Sequence, residues 1–449
     1  MSNLKKRIIN GLGANSITQV INISLQVLSL PLFLKFWGVH LYGEWLILST
    51  IPAYLAMAEI GFLTVAGNSM TIALAKSNVS LALEIFQNTW VFICFICLVI
   101  FVGLSFSALI PINILLNINL ISNKFTILII IFLGFGVICN LQTYLIYAAL
   151  RAEGRYALGV WINNIFRIIE LISLVSGLYM GLQPIDIALI TSLCKLLNLI
   201  IAYLIIKKLN NWLVYGVKSV SFEKIKEMVS PSLAFMAFPI GNAMKNQGMI
   251  NIVGVMLGPI AVVSFTAMRT LINSISQAMA MINNTIWPEL SKAFGSGDII
   301  LARKLNRSAC KLSIYISLIL IGLLSIYGED IVLVWSGGKV DFQKSFFNIM
   351  LIGMIINSIW YTASVVLASN NQHKKMAVIF LFGSVFTLVL AWAIVPLIGI
   401  EGSAISLLSA DVLMVLYVVP VALKLTNDNI KDFIKFLLNL NFKRFHEIP

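Results

Sequence analysis

Four basic residues lie inside stretches that are otherwise apolar enough to span a bilayer: Arg167, Lys195, Lys245 and Arg269. A charge at the bilayer centre costs roughly 2.5 to 3.5 kcal/mol on insertion scales, so intramembrane cations normally face a hydrated interior and serve a function. Arginine offers a fork of donors and lysine a point charge, and both suit phosphate oxygens. The four residues therefore predict the binding of an anion, and a pyrophosphate fits their chemistry.

Amide side chains recur on the same predicted helices at spacings that place them on one face. In the first predicted helix, four amides are separated by steps of 4, 3 and 4 residues. Interhelical hydrogen bonds are one explanation for such residues. Stripes on several helices, accompanied by cations, favour a shared hydrated cavity that would also suit sugar hydroxyls. The predicted polar lining comprises Asn15, Gln19, Asn22, Gln26, Asn242, Asn246 and Asn273.

Acidic residues within the apolar stretches leave two alternatives open. Arg167 and Glu170 are one helical turn apart and would neutralise each other in a structural ion pair. Lys245 and Arg269 have no acid nearby in sequence, and would have to pair with a distant one. Buried carboxylates also bind the H⁺ or Na⁺ that drives transport, and the candidates for ion coupling are Glu59, Glu170 and Asp411.

The elements that must position these residues are membrane helices. Of the 449 residues, 59% are hydrophobic and only 11% are charged, and the mean hydropathy is +0.96. A soluble domain has about 25% charged residues, and the strands of an outer-membrane barrel are only about 10 residues long. Apolar runs of about 20 residues or more therefore predict an all-α integral membrane protein. Twelve spans are predicted, near Ile8–Phe36, Leu41–Ala66, Ile85–Ile110, Phe125–Leu150, Leu158–Gly177, Ile185–Ile206, Ile225–Leu257, Ile260–Ile286, Cys310–Tyr327, Phe346–Ala368, Met376–Leu397 and Ile400–Leu423.

The basic residues predict the orientation of these spans. With the N-terminus in the cytoplasm, 23 of the 31 Lys and Arg residues fall in inside loops and tails, and only 4 in outside loops. Inside loops are enriched in Lys and Arg, so both termini are expected in the cytoplasm. The net charge of +13 is accordingly a signal of topology and not of nucleic-acid binding.

The longest cytoplasmic break divides the predicted spans into two sets of six. We expect an N-terminal six-helix lobe over residues 1–206, a cytoplasmic linker over 207–224, a C-terminal six-helix lobe over 225–424 and a basic amphipathic tail over 425–449. Weak similarity between the halves at an offset of 220 residues suits a transporter built from two repeats. In the tail, Ile430, Phe433, Ile434, Leu437 and Leu438 would share one side of an interfacial helix.

Other chemistry finds little support in the sequence. Cys94 and Cys97 form a C-x-x-C, but it lies in an apolar run without a second Cys or His pair, so packing is the expected role. The three His residues are scattered, and no phosphate-binding glycine loop of an ATPase occurs. Short outside loops leave no room for a catalytic domain. We therefore expect no catalytic residue, no metal and no cofactor, and the chain is not predicted to be an enzyme.

Two groups of motifs carry a resemblance to a known family. The first is Trp37-Gly-Val-His-Leu-Tyr-Gly-Glu-Trp45, followed by Ala58-Glu-Ile-Gly-Phe62 and Ala66-Gly-Asn68, and the second is Trp287-Pro-Glu-Leu-Ser-Lys292 with Gly295-Ser-Gly-Asp298. With the helix count and central linker, these segments resemble the Wzx-type O-antigen and polysaccharide flippases of the MOP superfamily, which also holds the MATE exporters and lipid II flippases. Many members carry Asp-Leu-Gly where this chain has Glu59-Ile-Gly61.

The resemblance implies a MATE-like fold and a flippase of the bacterial inner membrane. The implied cargo is an undecaprenyl-pyrophosphate-linked oligosaccharide, such as an O-antigen unit, which moves from the cytoplasmic to the periplasmic leaflet by alternating access, driven by an ion gradient. Membrane lipid and other membrane proteins of polysaccharide assembly are the implied partners. The alternatives are a MATE-like exporter of cationic drugs, whose cavity should be acidic, and a membrane-embedded polysaccharide polymerase or ligase.

The orientation can be tested with an alkaline phosphatase fusion, which is active only outside the cytoplasm. Fusions after Lys208 and after Pro449 should be inactive, because both sites follow the basic cytoplasmic pattern, and a fusion after Gly338 should be active. Enzyme activity relative to the amount of fusion protein is the measurement. An active fusion at Lys208 would contradict the predicted orientation.

Overall fold

The computed structural model describes residues 2–106, 109–210, 212–370 and 372–439. Within these ranges it leaves aside the side chains of residues 2–12, 15–16, 58–60, 229–235 and 373, which include the predicted site residues Asn15 and Glu59. The apolar runs fold into helices, and the described part of the chain contains no strand. The predicted all-α membrane fold is therefore confirmed.

The chain divides into two compact units, Met1–Pro239 and Ile240–Pro449. The lobe and linker boundaries derived from the sequence remain a prediction beside this division. The first unit contains α1 (Ser2–Phe36), α2 (Gly38–Leu55), α3 (Ile60–Ala75), α4 (Val79–Phe106), α5 (Ile112–Leu116), α6 (Asn123–Ala152), α7 (Tyr156–Tyr179), α8 (Pro184–Leu209) and most of α9 (Phe222–Ala243). The second contains the end of α9 and α10 (Met249–Leu257), α11 (Pro259–Gly295), α12 (Ile299–Ser336), α13 (Lys344–Ser369), α14 (His373–Ile398), α15 (Ile400–Leu425) and α16 (Ile430–Leu438).

Two of the predicted spans are interrupted. A 3₁₀ turn at Ala56–Glu59 separates α2 from α3, and a π-helical turn at Met244–Gly248 separates α9 from α10. Across the described residues, nine helices are long and apolar enough to cross a membrane on their own. The interrupted spans are not among them, and neither is α11, which carries the polar row of Arg269 and Asn273. With these three, the helices agree with the expected fold of about twelve spans.

Helix α12 is much longer than its predicted span. It begins at Ile299, whereas hydropathy places the start of the span near Cys310. The additional turns carry Arg303, Lys304 and Arg307, which a hydropathy criterion excludes from a span although they continue the helix. Charged helical extensions of this kind are therefore invisible to a search for apolar runs.

Helix α6 is the centre of the first unit. It packs against α8, α3 and α4, and many of its side chains are buried. A separate contact joins α1 to α7, where the hydroxyl of Thr18 donates to Asn164 Oδ1 at 2.9 Å and Asn164 Nδ2 donates to the carbonyl of Ala14 at 2.9 Å. These contacts fix the helices that carry Arg167, Lys195 and the amide row of α1.

The segment between α8 and α9 is held against α4. Gln87 Nε2 donates to the carbonyl of Val214 at 3.0 Å, and the backbone N–H of Ser219 donates back to Gln87 Oε1 at 3.0 Å. The ring of Tyr215 packs edge-on against Phe86 and Trp90. The described residues of this connection are therefore held to the first unit.

The WGVHLYGEW segment builds the junction between α1, α2 and the loop before α6. Glu44 is fully buried, and its carboxylate accepts the backbone N–H groups of Asn119, Leu120 and Ile121 at 2.7, 2.7 and 3.0 Å. Trp37 Nε1 donates to the carbonyl of Leu182 at 2.9 Å. A buried carboxylate is tolerated only when it is hydrogen-bonded, so this part of the motif has a structural role.

In the second unit, α13 and α15 form the centre, and α16 packs on α12. Phe433 of α16 is buried, while Ile430, Ile434 and Leu438 are exposed. Arg307 of α12 pairs with Asp428, and its guanidinium lies 5.7 Å from the ring centroid of Phe436. The short helix after α15 is thus held to α12 by an ion pair and a cation–π contact; residues 440–449 of the predicted tail lie outside the described residues.

We expect Glu44→Gln to destabilise the protein, because one carboxylate oxygen that accepts N–H groups becomes an NH₂ donor facing them. The free energy of unfolding should fall by roughly 1.5 to 3 kcal/mol, the range for hydrogen bonds to charged groups. Thermal unfolding of the purified protein measures the change. Glu289→Gln is the matched control because Glu289 is 54% exposed and forms a surface ion pair with Lys292. An equal shift in both variants would contradict the assignment.

Candidate anion-binding site

A polar cavity of about 360 Å³ lies within the first unit between α6, α7 and α8. Arg167 of α7 and Lys195 of α8 both line it, and Glu170 is the acidic residue of its wall. Its volume lies within the range of about 300 to 1,000 Å³ that is usual for small-molecule sites. The structure therefore brings together two of the four predicted cations and one predicted coupling acid. The remaining lining residues are Leu25, Asn140, Tyr144, Asn163, Phe166, Leu171, Leu174, Cys194 and Asn198.

Neither cation of this cavity forms an ion pair with a described carboxylate. No carboxylate oxygen among the described side chains lies within 4.0 Å of a nitrogen of Arg167 or Lys195. Lys195 instead extends across α6 at Gly136, where a Cβ would lie 3.0 Å from Lys195 Cδ and 3.6 Å from Lys195 Nζ. Its two cations and one acid leave one net positive charge, and its three amides and one phenol carry groups that donate or accept hydrogen bonds.

A second cavity of about 330 Å³ adjoins the first, and the two share Tyr144 and Asn163 in their walls. We call it the tyrosine chamber, after Tyr144, Tyr147 and Tyr156, and it also contains Arg151. Tyr147 donates to Asn198 Oδ1 at 2.7 Å. The other residues of its wall are Thr18, Leu63, Thr64, Ala148, Gly159 and Val160.

Arg151 is held loosely in the tyrosine chamber. Its Nη2 lies over Gly67 of α3, in a position that a Cβ would occupy. It donates to the carbonyl of Thr64 at 3.5 Å and to Asn68 Oδ1 at 3.4 Å, both long for hydrogen bonds. Gly67 and Asn68 belong to the Ala66-Gly-Asn68 motif, so the guanidinium of Arg151 packs against that motif.

Hydropathy assigns Arg151 only to the cytoplasmic charge pattern, and its place in a cavity was not predicted. A signal for that place does exist in the spacing of α6. Asn140, Tyr144 and Tyr147 share one face of this helix, and Arg151 continues that face with the next step of four residues. Extending the polar face to the end of the helix would have included it.

In the second unit, Lys245 pairs with an acid. Its Nζ lies 3.6 Å from Asp411 Oδ1, and the two side chains are 16% and 5% exposed. Asp411 Oδ1 also accepts from Asn357 Nδ2 at 2.8 Å and from Trp360 Nε1 at 3.0 Å. The sequence left open whether Lys245 pairs with a distant acid or is available to an anion. In the described structure, Lys245 is in an ion pair.

Arg269 has a different environment. Its Nη1 donates to the carbonyl of Asn246 at 3.2 Å, and its guanidinium lies 5.4 Å from the ring centroid of Phe265. Asn246 belongs to the π-helical turn, and such turns are frequent at functional sites. Among the described side chains, no carboxylate lies within 4.0 Å of Arg269.

The predicted polar lining is only partly buried. Gln19, Gln26 and Asn242 are exposed within the described structure, whereas Asn22, Asn246 and Asn273 are half-buried. None of them lines the two cavities of the first unit, whose walls use amides of α6, α7 and α8 instead. Their place in a cargo pathway stays a prediction.

No family model and no curated protein matches the sequence. Solved structures do resemble the fold. An inward-facing multidrug resistance MATE transporter of the MOP superfamily matches at a TM-score of 0.73 with 12% identity, over 92% of this chain and 95% of that one. The lipid II flippase MurJ, in an inward closed conformation, matches at 0.68 with 13% identity, over 95% and 90%. At such low identity these matches show only that the chain shares the fold of those proteins.

A third similar structure is described as having a binding pocket of reversed polarity, which suggests a different function for that protein. It is a MOP superfamily transporter from Pyrococcus furiosus, with a TM-score of 0.56 and 13% identity, over 93% of this chain and 94% of that one. The three proteins are described as transporters or flippases and not as enzymes. The expectation that this chain is not an enzyme agrees with these neighbours.

The ion pair in the second unit can be tested with a double-mutant cycle. Lys245→Met and Asp411→Asn should each destabilise the protein, because each single change leaves the other polar partner uncompensated. The free energy of unfolding of the double variant should fall by less than the sum of the two single losses. The difference is a coupling energy of roughly 0.5 to 3 kcal/mol. Thermal unfolding in detergent is the measurement, and strictly additive losses would show that the two groups do not interact.

Proposed function

We propose that the protein is a flippase that moves an undecaprenyl-pyrophosphate-linked oligosaccharide, such as an O-antigen unit, from the cytoplasmic to the periplasmic leaflet of a bacterial inner membrane. The observation that carries this proposal is the cavity with Arg167 and Lys195, two cations without a carboxylate partner among the described side chains. Two phosphate groups would supply the missing negative charge through charge-assisted hydrogen bonds.

The chemistry of flipping explains why such a cavity would be needed. Without a protein, the sugars and the charged pyrophosphate would have to cross hydrocarbon, where unpaired polar groups and charges cost several kcal/mol each. The polyprenyl chain can stay in lipid throughout. A cationic, amide-rich cavity removes the cost for the polar end only, and the cavity of the first unit has this composition.

We include Lys245 and Arg269 among the proposed pyrophosphate contacts. Arg269 has donors beyond the one directed at Asn246, because a guanidinium carries five N–H groups. Lys245 would have to exchange Asp411 for a phosphate oxygen. Such an exchange would leave Asp411 able to take up H⁺ or Na⁺, so we retain Asp411, with Glu170 and Glu59, as the proposed coupling residues.

The second candidate function is export of cationic drugs, which the likeness to a MATE transporter favours. The polarity of the two cavities argues against it, because a cationic substrate would meet Arg151, Arg167 and Lys195, and Glu170 is the one acid among the described residues of their walls. Similar structures in inward-facing and outward-facing conformations support alternating access as the proposed transport cycle. Drug resistance on overexpression, without any effect on surface polysaccharide, would favour the exporter.

Replacing both Arg167 and Lys195 by alanine should abolish surface polysaccharide, because the cavity loses both proposed phosphate donors. Lipid-linked oligosaccharide should accumulate in the cytoplasmic leaflet of a deletion strain complemented with this variant. The measurement is polysaccharide on gels, together with the leaflet distribution of the lipid-linked precursor. The same complementation with Lys245→Ala and Arg269→Ala should give the same loss.

The matched control is Arg155→Ala with Lys208→Ala, which removes the same two residue types from exposed positions of the first unit. Membrane insertion should be equal in all variants. Unchanged export in the Arg167 and Lys195 variant would remove the proposed role of the cavity. A loss of export in the control would show that total charge, and not the cavity, is responsible.

A further inference from the structure

Two separate cationic positions lie along α6 in the first unit. The ammonium of Lys195 lies at the level of Gly136, and the guanidinium of Arg151 lies at the level of Ala148, beside Gly67. Twelve residues of α-helix separate these levels, which corresponds to about 18 Å. A pyrophosphate held by Arg167 and Lys195 cannot reach Arg151, so a different part of the cargo must meet it.

The walls around the two positions differ in chemistry. The first cavity has two cations, an acid and amides, whereas the tyrosine chamber has one cation and three phenols. A tyrosine presents an apolar ring and a polar hydroxyl. A sugar likewise has an apolar C–H face and a rim of hydroxyls that need partners when buried. The chamber is therefore suited to a sugar ring, and its volume of about 330 Å³ is small enough to select one portion of an oligosaccharide.

The charge of the chamber indicates which chemical kind of sugar it would bind. Arg151 is half-buried, and its hydrogen bonds to Thr64 and Asn68 are long. Both acceptors are neutral, and no described carboxylate lies within 4.0 Å of its guanidinium. A planar guanidinium binds a carboxylate with two parallel hydrogen bonds. A neutral sugar would add no negative charge to the two neutral acceptors that Arg151 has among the described side chains.

We propose that the tyrosine chamber is a subsite for an acidic sugar of the cargo, in which Arg151 binds the sugar carboxylate while Tyr144, Tyr147 and Tyr156 enclose the ring. This inference rests on the proposed flippase function and adds a specificity to it. The chamber selects oligosaccharides that carry a uronic acid some distance from the pyrophosphate.

Two soluble probes test the proposal on the full-length protein purified in detergent. Both are geranyl pyrophosphates that carry a trisaccharide, whose third residue is glucuronic acid in the acidic probe and glucose in the neutral probe. Calorimetry should show that the wild type binds the acidic probe roughly tenfold to a hundredfold more tightly, the range expected for one charge-assisted hydrogen bond. Arg151→Gln should remove this preference, so that the variant binds the acidic and the neutral probe with equal affinity.

Arg155→Gln is the matched control, because Arg155 is exposed and pairs with Glu153 at 3.9 Å one turn beyond Arg151. It should keep the full preference, and Arg151→Lys should keep part of it. Unfolding temperature and elution volume of each variant report whether it is folded. If Arg151→Gln lowered stability and weakened both probes equally, Arg151 would serve only to join α6 to α3, and the proposal would be wrong.

The remaining outcomes separate the subsite from the flippase. Equal binding of both probes to the wild type would overturn the acidic-sugar subsite and leave the proposed function intact. Failure of the wild type to bind either probe would overturn the proposed function, and the subsite with it. Equal binding of both probes, lost on Arg167→Ala, would place the whole recognition in the first cavity.

Discussion

The cost of removing a charge from water is the constraint on which the rest of this structure depends. Glu44 offsets this cost by accepting three backbone N–H groups, and Lys245 offsets it in an ion pair with Asp411. Arg307 pairs with Asp428 and lies beside an aromatic ring. The cations of the first unit differ from these residues. Arg151, Arg167 and Lys195 converge on two adjoining cavities, and no described carboxylate lies within 4.0 Å of any of them.

The difference separates charges that hold the fold from charges that are available to a ligand. A buried ion pair is a weak argument for stability, because its desolvation cost can exceed the attraction between its members. Breaking such a pair by removing one partner is nevertheless expensive, so paired residues are constrained even when no ligand binds them. Sequence alone ranks all intramembrane charges alike, and only the packing of the helices assigns them to one group or the other.

Local periodicity identified the amide row of α1, but Gln19 and Gln26 of that row are exposed and line neither cavity of the first unit. Arg167 and Lys195 were identified as charges within apolar runs, and the structure has both in the wall of one cavity. Periodicity was insufficient where a partner is distant in the chain. Lys245 and Asp411 are brought together by the packing of the π-helical turn and α15, and hydropathy contains no information about such a pair. Interruptions were missed because a search for apolar runs does not detect a local change from α-helix to a 3₁₀ or π turn.

In the first unit, each of two cations lies against a helix at a glycine. Lys195 crosses Gly136 and Arg151 covers Gly67, so in both cases the long side chain uses the space that a Cβ would take. A larger residue at either glycine would therefore displace a charged group by steric contact, although the charged residue itself is not mutated. At Gly67 even the Cβ of an alanine would meet the tip of Arg151, so the guanidinium would have to turn aside within its cavity. At Gly136 the same change would press on the stem of Lys195.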